Sequence, residues 1–137
     1  MQPYTLKLRV YYEDTDAGGI VYHARYLAFA ERARTEALRE AGVPHDELVT
    51  QFGLIFVVRR IEMHYLRPVR LDAEVVVTTG PWALRAASVE VRQDFAVLGK
   101  QVASEQTGRL VVGLACVGAA SGRPARIPQR WRDALSS

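Results

Sequence analysis

From residue 6 to residue 12 apolar and polar side chains alternate, with Leu6, Leu8 and Val10 on one side of the chain. That period of two is the pattern of a half-buried strand. It stops at Asp14-Thr15-Asp16-Ala17-Gly18-Gly19, a run of turn formers, so the strand delivers a polar loop. Beyond the loop Tyr26, Phe29, Ala30, Ala33, Ala37, Leu38 and Ala41 recur at helical spacing, and Gly42 with Pro44 supplies a stop, which predicts one long helix. Alanine dominates its apolar side, counting Ala24 and Ala28 as well. Small residues at that spacing let a backbone lie close to whatever covers it, so the helix is expected to be enclosed by a sheet. A short second helix is expected over residues 46–52.

From residue 54 the chain turns to β-branched and aromatic residues, predicting four long strands over 54–65, 73–79, 87–97 and 101–117. The connections at 67–71, 80–84 and 98–100 are short and contain Pro or Gly, which favours antiparallel hairpins and meanders over crossovers. Residues 124–128 leave the sheet, and 129–135 are expected to form a terminal helical turn. Strand, helix and a run of antiparallel strands specify an α+β fold in a single domain over 1–137, one helix against a sheet of about five strands. Such a sheet has edges that a homo-oligomer can pair or cover.

Composition narrows the class. With 137 residues, 49% of them apolar, the chain can bury a core without staples. The one cysteine, Cys116, lies in an apolar run, so no intramolecular disulfide forms and a reducing compartment, the cytoplasm, is expected. No activating neighbour surrounds it, and a small core residue is its simplest role. Near the start there is no basic stretch followed by an apolar run, and nowhere do eighteen apolar residues run together, so neither a signal peptide nor a membrane span is expected. The net charge of +3, from 18 basic and 15 acidic residues distributed along the chain, suits an anionic ligand or a weak attraction to a membrane surface. No aromatic-interleaved basic tract and no zinc-ligand spacing is present, so neither nucleic acid nor a metal is expected as a partner.

The chemistry concentrates in residues 11–26, Tyr-Tyr-Glu-Asp-Thr-Asp-Ala-Gly-Gly-Ile-Val-Tyr-His-Ala-Arg-Tyr. Two carboxylates in a glycine-bearing loop before a helix lie beside free backbone N–H groups, an arrangement that binds and polarises an electron-rich oxygen. Carboxylate and oxyanion site together suggest acyl transfer or hydrolysis. The structural alternative is that Asp14 and Asp16 close a turn and cap the helix. Against capping, the residues nearest the helix start, Tyr22, His23 and Ala24, are poor N-caps, and Asp16 lies too far upstream. The first-turn amides are then open to a ligand.

The run 10–36, above all Tyr-Tyr-Glu-Asp-Thr-Asp-Ala-Gly-Gly-Ile-Val-Tyr-His at 11–23 followed by Glu-Arg-Ala-Arg-Thr-Glu at 31–36, resembles the acyl-CoA thioesterases associated with the Tol-Pal system. These belong to the 4-hydroxybenzoyl-CoA thioesterase-like group of hotdog-fold enzymes. The resemblance extends to 56–60 and 68–72, and loosely to 123–128, so it spans nearly the whole chain. It implies a hotdog fold, a long helix wrapped by an antiparallel sheet, and hydrolysis of acyl-CoA thioesters to free acid and CoA without a metal or bound cofactor. It implies a homodimer or homotetramer. It leaves open an acyl carrier protein thioesterase, or a non-catalytic acyl-CoA binding module peripheral to the inner membrane beside cell-envelope proteins.

The resemblance puts the catalytic carboxylate on Asp16, which attacks the thioester carbonyl to give a mixed anhydride or activates a water. It puts the carbonyl-polarising N–H on His23, whose side chain can also position Asp16 or water, the alternative being a partly buried aromatic residue at the helix start; Asp14 is the lesser candidate. Tyr12 either hydrogen-bonds in the site or packs at the end of the strand. Gly18 and Gly19 allow close backbone approach or positive φ, and Gly19 is a candidate substrate contact. Val58, Arg59 and Arg60 are candidate substrate contacts on a strand, where a basic residue either meets the phosphates of CoA or faces solvent. Glu31 lies where other hotdog lineages carry their acid, yet an ion pair with Arg34 on the helix surface or a dimer interface is favoured. His45 and His64 have no partner at ligand spacing and are expected at ordinary surface and sheet positions.

Overall fold

The computed structural model describes residues 1–99 and 105–136. Strand β1 (Tyr4–Arg9) leads through a 3-10 turn (Tyr12–Asp14) to the long helix α1 (Arg25–Glu40) and the short helix α2 (His45–Phe52). Strands β2 (Leu54–Tyr65), β3 (Glu74–Leu84), β4 (Ser88–Val97) and β5 (Glu105–Gly118) follow, then helix α3 (Gln129–Ser136). All five strands form one antiparallel sheet in the order β1-β3-β4-β5-β2. The expected α+β arrangement is therefore observed. The part of the last predicted strand over 101–104 lies outside the described residues.

The apolar side of α1 lies against the sheet because that is where its small and aromatic residues point. Tyr26, Phe29, Ala30, Ala33, Ala37 and Leu38 are all buried, in one cluster with Val75, Val77, Val91, Phe95, Leu110 and Val112 from alternate positions of β3, β4 and β5. Tyr26 meets Phe95 edge-on, with ring centroids 5.4 Å apart. Ala24 is exposed and precedes the helix, so the alanine face starts later than its sequence spacing suggests. Helix α3 closes the far end with Trp131 and Leu135, Trp131 meeting Phe52 at 5.4 Å.

Two expectations about connections are corrected. Residues 80–84 do not connect strands: β3 runs on through them, with Gly80 and Pro81 together opposite Arg92 as a bulge. Pro81 lies beyond the end of β1, whose pairing begins at Tyr4 with Thr79, so its missing N–H costs no bond on that side. Nor do β2 and β3 form a hairpin, since β2 pairs with β5 at the opposite edge. Residues 66–73 instead cross the end of the sheet, Leu66 and Arg67 donating to Thr107 O, Val69 O accepting from Val21 and Ala73 O accepting from Val10. Eight residues at roughly 3.3 Å each comfortably span three strand spacings of about 4.8 Å. This crossing carries the end of β2 to the polar loop.

One polar group is built into the core. Gln93 on β4 is fully buried, donating to Ala30 O and Thr79 Oγ1 and accepting from Arg34 Nη1, each at 2.9 Å. Arg34 is therefore not a helix-surface partner of Glu31: it is only 7% exposed, and no ion pair joins the two among the described residues. A Gln93→Leu substitution removes three hydrogen bonds and takes from Thr79 Oγ1 and Arg34 Nη1 their partner, and thermal or denaturant unfolding is expected to show a loss of about 2 kcal/mol.

Candidate active site

Asp14 and Asp16, two residues apart, have opposite surroundings. Asp14 is 3% exposed; its Oδ1 accepts from Arg25 Nε (2.9 Å) and Nη2 (2.6 Å), its Oδ2 from Tyr11 N–H (2.8 Å) and its carbonyl from Tyr22 N–H (2.9 Å). It ties the end of β1, the loop and the first turn of α1 into one unit. Asp16 is exposed. Its Oδ1 accepts the Gly18 N–H at 2.8 Å, its carbonyl accepts from Gly19 and its N–H donates to Ile20 O, closing a tight turn flanked by a Thr15–Val21 bridge. Gly19 has φ +76°, a backbone conformation that favours glycine, and a Cβ on Gly18 would stand 3.2 Å from Asp16 Oδ1, a tight contact that the carboxylate would have to shift to relieve.

The turn presents Asp16 to a cleft of ≈ 400 Å³. Ile20, Val21, His23 and Tyr26 form one wall, and Tyr65, Leu66, Arg67 and Pro68 form the other. At its inner end α1 begins without a side-chain cap: the N-cap is Ala24, and the first turn holds no acidic residue. The backbone N–H groups of His23 and Ala24 donate to no group among the described residues. Open donors at the positive end of a 16-residue helix attract a partly negative oxygen.

Tyr65 fixes the orientation of this helix start. Its hydroxyl donates to His23 O at 2.9 Å, while its ring meets Tyr26 edge-on at 5.2 Å. The Leu27 N–H turns to Ala24 O instead, so the Tyr65 hydroxyl takes the place of the helical donor at His23 O. Burial, and to a smaller extent Tyr65, raises the Tyr26 hydroxyl above its ordinary pKa of 10.0, so it stays protonated. A Tyr65→Phe variant keeps the ring contact and loses the hydroxyl. Steady-state kinetics are expected to show kcat about fivefold lower with KM unchanged, the equivalent of one hydrogen bond of roughly 1 kcal/mol.

The remaining sequence candidates lie elsewhere. Tyr12 is 82% exposed outside the cleft, its carbonyl taken by the Thr15 N–H and hydroxyl. Arg59 is the extra residue where β2 slips register between Val58 and Arg60, and Arg60 pairs with Glu90 at 2.8 Å. Val58 lines a second cavity together with Glu31 and His45. Gly19 shapes the loop. Within one chain, then, only Asp16 and His23 of the candidates line the cleft. His45 is half-buried rather than at the surface, edge-on to Phe56; His64 is exposed on β2, as expected of a sheet position. Cys116 is buried, and burial raises its thiol pKa.

Sequence reasoning passed over Tyr65, Leu66, Arg67 and Pro68. They reach Asp16 only because residues 66–73 cross the sheet end, and the Pro-containing segment had the look of an ordinary hairpin connection. A carboxylate and a helix-start residue with an unpartnered N–H, Asp16 and His23 on one cleft, can activate a nucleophile and hold the oxygen of the carbonyl it attacks, the division of labour of acyl hydrolysis.

Comparison with known proteins agrees with that chemistry. Residues 18–103 match the Thioesterase superfamily. The chain is 37% identical over 132 residues to the acyl-CoA thioesterase YbgC of Haemophilus influenzae, covering 96% of this chain and 93% of that protein. It is 46% identical over 86 residues to the acyl-CoA thioester hydrolase YbgC of Escherichia coli O6:H1, 63% of each chain. Among solved structures, a probable thioesterase from Bartonella henselae superposes with a TM-score of 0.79 at 32% identity, covering 93% of this chain and 100% of that one. A family match over more than half of the chain, joined to a relative aligned over nearly all of it, makes this protein a member of the thioesterase superfamily with the hotdog fold.

Proposed function

We propose that this chain hydrolyses acyl-CoA thioesters to the free acid and CoA, in the cleft between Asp16 and the start of α1. The observation that carries the reading is the shared cleft: the exposed Asp16 and His23, whose backbone N–H has no partner among the described residues, line one ≈ 400 Å³ space at the uncapped start of α1. The relatives named as acyl-CoA thioesterases support the substrate class. The thioester carbonyl oxygen accepts from the His23 N–H, which stabilises the negative charge that develops as the carbon becomes tetrahedral. The Asp16 carboxylate either attacks that carbon directly, so that breaking the C–S bond leaves a mixed anhydride that water then hydrolyses to the free acid and the restored carboxylate, or takes a proton from a water that attacks in its place. In both cases the leaving thiolate takes up a proton that comes from that water, and CoA departs as the thiol. None of these steps calls for a metal or a bound cofactor, CoA being part of the substrate.

The reading includes a homodimer or homotetramer. The outer edge of β2 pairs with no strand among the described residues, and twelve residues of open edge are long enough to pair with a second copy. Arg59 and Arg60 lie on that strand, close to the CoA phosphates if pairing brings a second cleft alongside. A cytoplasmic location, from the single buried cysteine, and a Tol-Pal association at the inner-membrane surface, from the resemblance of residues 10–36, belong to the same reading. Among the described residues no helix is long and apolar enough to cross a membrane. A thiol-release assay across short, long and aromatic acyl-CoAs tests the activity. Turnover supports it, a marked preference for acyl groups carried on acyl carrier protein shifts the substrate, and binding without thiol release contradicts hydrolysis.

A further inference from the structure

We infer that the Tyr26 hydroxyl is a second hydrogen-bond donor to the thioester carbonyl oxygen, beside the His23 N–H. The assignment rests on the hydrolysis proposed above and adds a catalytic side chain to it. Tyr26 is the second residue of α1, and it lines the same cleft as Asp16 and His23.

The Tyr26 hydroxyl is a group the fold leaves unused. The residue is 4% exposed, and its ring is fixed by edge-on contacts to Tyr65 and Phe95. A phenylalanine makes both contacts as well, so packing does not call for the oxygen. That oxygen bonds to no group among the described residues, and it is not one of the buried polar atoms closed off from the surface without a partner. It therefore opens on the cleft that Tyr26 lines. The neighbouring hydroxyl, Tyr65 Oη, is already committed to His23 O. Burial, and to a smaller extent Tyr65, keeps the Tyr26 pKa above its ordinary 10.0, so the group is a donor at neutral pH.

The helix sets its direction. Aromatic side chains on an α-helix lean back over the preceding turn, toward residues three and four positions earlier, and three positions before Tyr26 stands His23. The hydroxyl thus reaches toward the end of α1 where the His23 N–H is open. A carbonyl oxygen carries two lone pairs, and one N–H occupies only one of them. The Ala24 N–H is open too, but Ala24 does not line the cleft. Arg67, on the opposite wall, is paired with Glu105 at 2.6 Å. Tyr26 is left as the donor for the second lone pair. Because its ring is held before substrate arrives and is shielded from water, its O–H bond to the oxygen strengthens as charge develops there, which favours the transition state over the bound ester.

Tyr26→Phe tests the assignment by rate and by spectrum. On whichever of acetyl-, hexanoyl-, palmitoyl- and benzoyl-CoA the unchanged protein turns over fastest, kcat is expected to fall about 10²-fold with KM changed less than about threefold. The melting midpoint is expected to stay within about 2 °C, since no bond within the protein is lost. The same ester, isotopically labelled at its carbonyl carbon and bound uncleaved to the Asp16→Asn protein, is expected to show an infrared carbonyl stretch below its frequency in water. Adding Tyr26→Phe is expected to raise that frequency, a change that a role in packing alone does not produce. The assignment is overturned if kcat stays within about threefold of the unchanged protein, or if the stretch does not move when the hydroxyl is removed. If the unchanged protein releases thiol from none of these esters, the hydrolysis reading falls and the assignment with it.

Discussion

An Asp16→Asn variant is expected to hydrolyse acyl-CoA with kcat/KM about 10³-fold below that of the unchanged protein, measured by thiol release. Asparagine retains an oxygen that accepts the Gly18 N–H, so the turn closes as before, and the side chain is exposed, so nothing in the core is disturbed. Only the negative charge and the basic, nucleophilic oxygen are lost. Stability is therefore expected to stay within about 0.5 kcal/mol of the unchanged protein by denaturant titration. A large loss of activity at constant stability separates a chemical role from a structural one. Activity near that of the unchanged protein places the chemistry elsewhere.

Asp14→Ala is expected to behave in the opposite way, costing about 3 kcal/mol of unfolding free energy. The substitution removes the acceptor of two bonds from Arg25 and one from Tyr11, at a side chain 5% exposed. Arg25 is itself 35% exposed and regains water, which keeps the loss at the lower end for a broken buried pair. Activity falls as well, because the helix start that carries the His23 N–H is no longer held to the loop, and part of it returns at low temperature where the fold is retained. A variant as stable as the unchanged protein but inactive assigns the chemistry to Asp14 instead.

The contrast between these two acids shows how far the sequence reaches. The Asp-Thr-Asp motif locates the loop, but which carboxylate is buried depends on Arg25, eleven residues on, folding back over Asp14. Periodic elements were legible because burial imprints them locally: β2 covers the residues its β-branched run predicts, and α1 departs from its pattern by a residue at each end. Pairing was not legible, since nothing within residues 66–73 reveals that β2 lies beside β5 and that the connection must cross the sheet. With that crossing unseen, Tyr65 and its hold on His23 were invisible too. Gly80 and Pro81 look like a turn, yet they form a bulge inside β3 because β1 ends before the proline is reached. Arg34 looks like a surface charge three residues from Glu31, but its acceptor, Gln93, lies 59 residues away on β4. In each case the deciding partner is distant in sequence.

The central claim is that the thioester lies between Asp16 and the start of α1. A crystal structure of the Asp16→Asn protein with uncleaved acyl-CoA bound tests it most directly. The account predicts the thioester carbonyl oxygen within hydrogen-bond distance of the His23 N–H, with its carbon beside residue 16. An acyl-CoA whose thioester lies outside the cleft of Asp16, His23 and Tyr65 contradicts it.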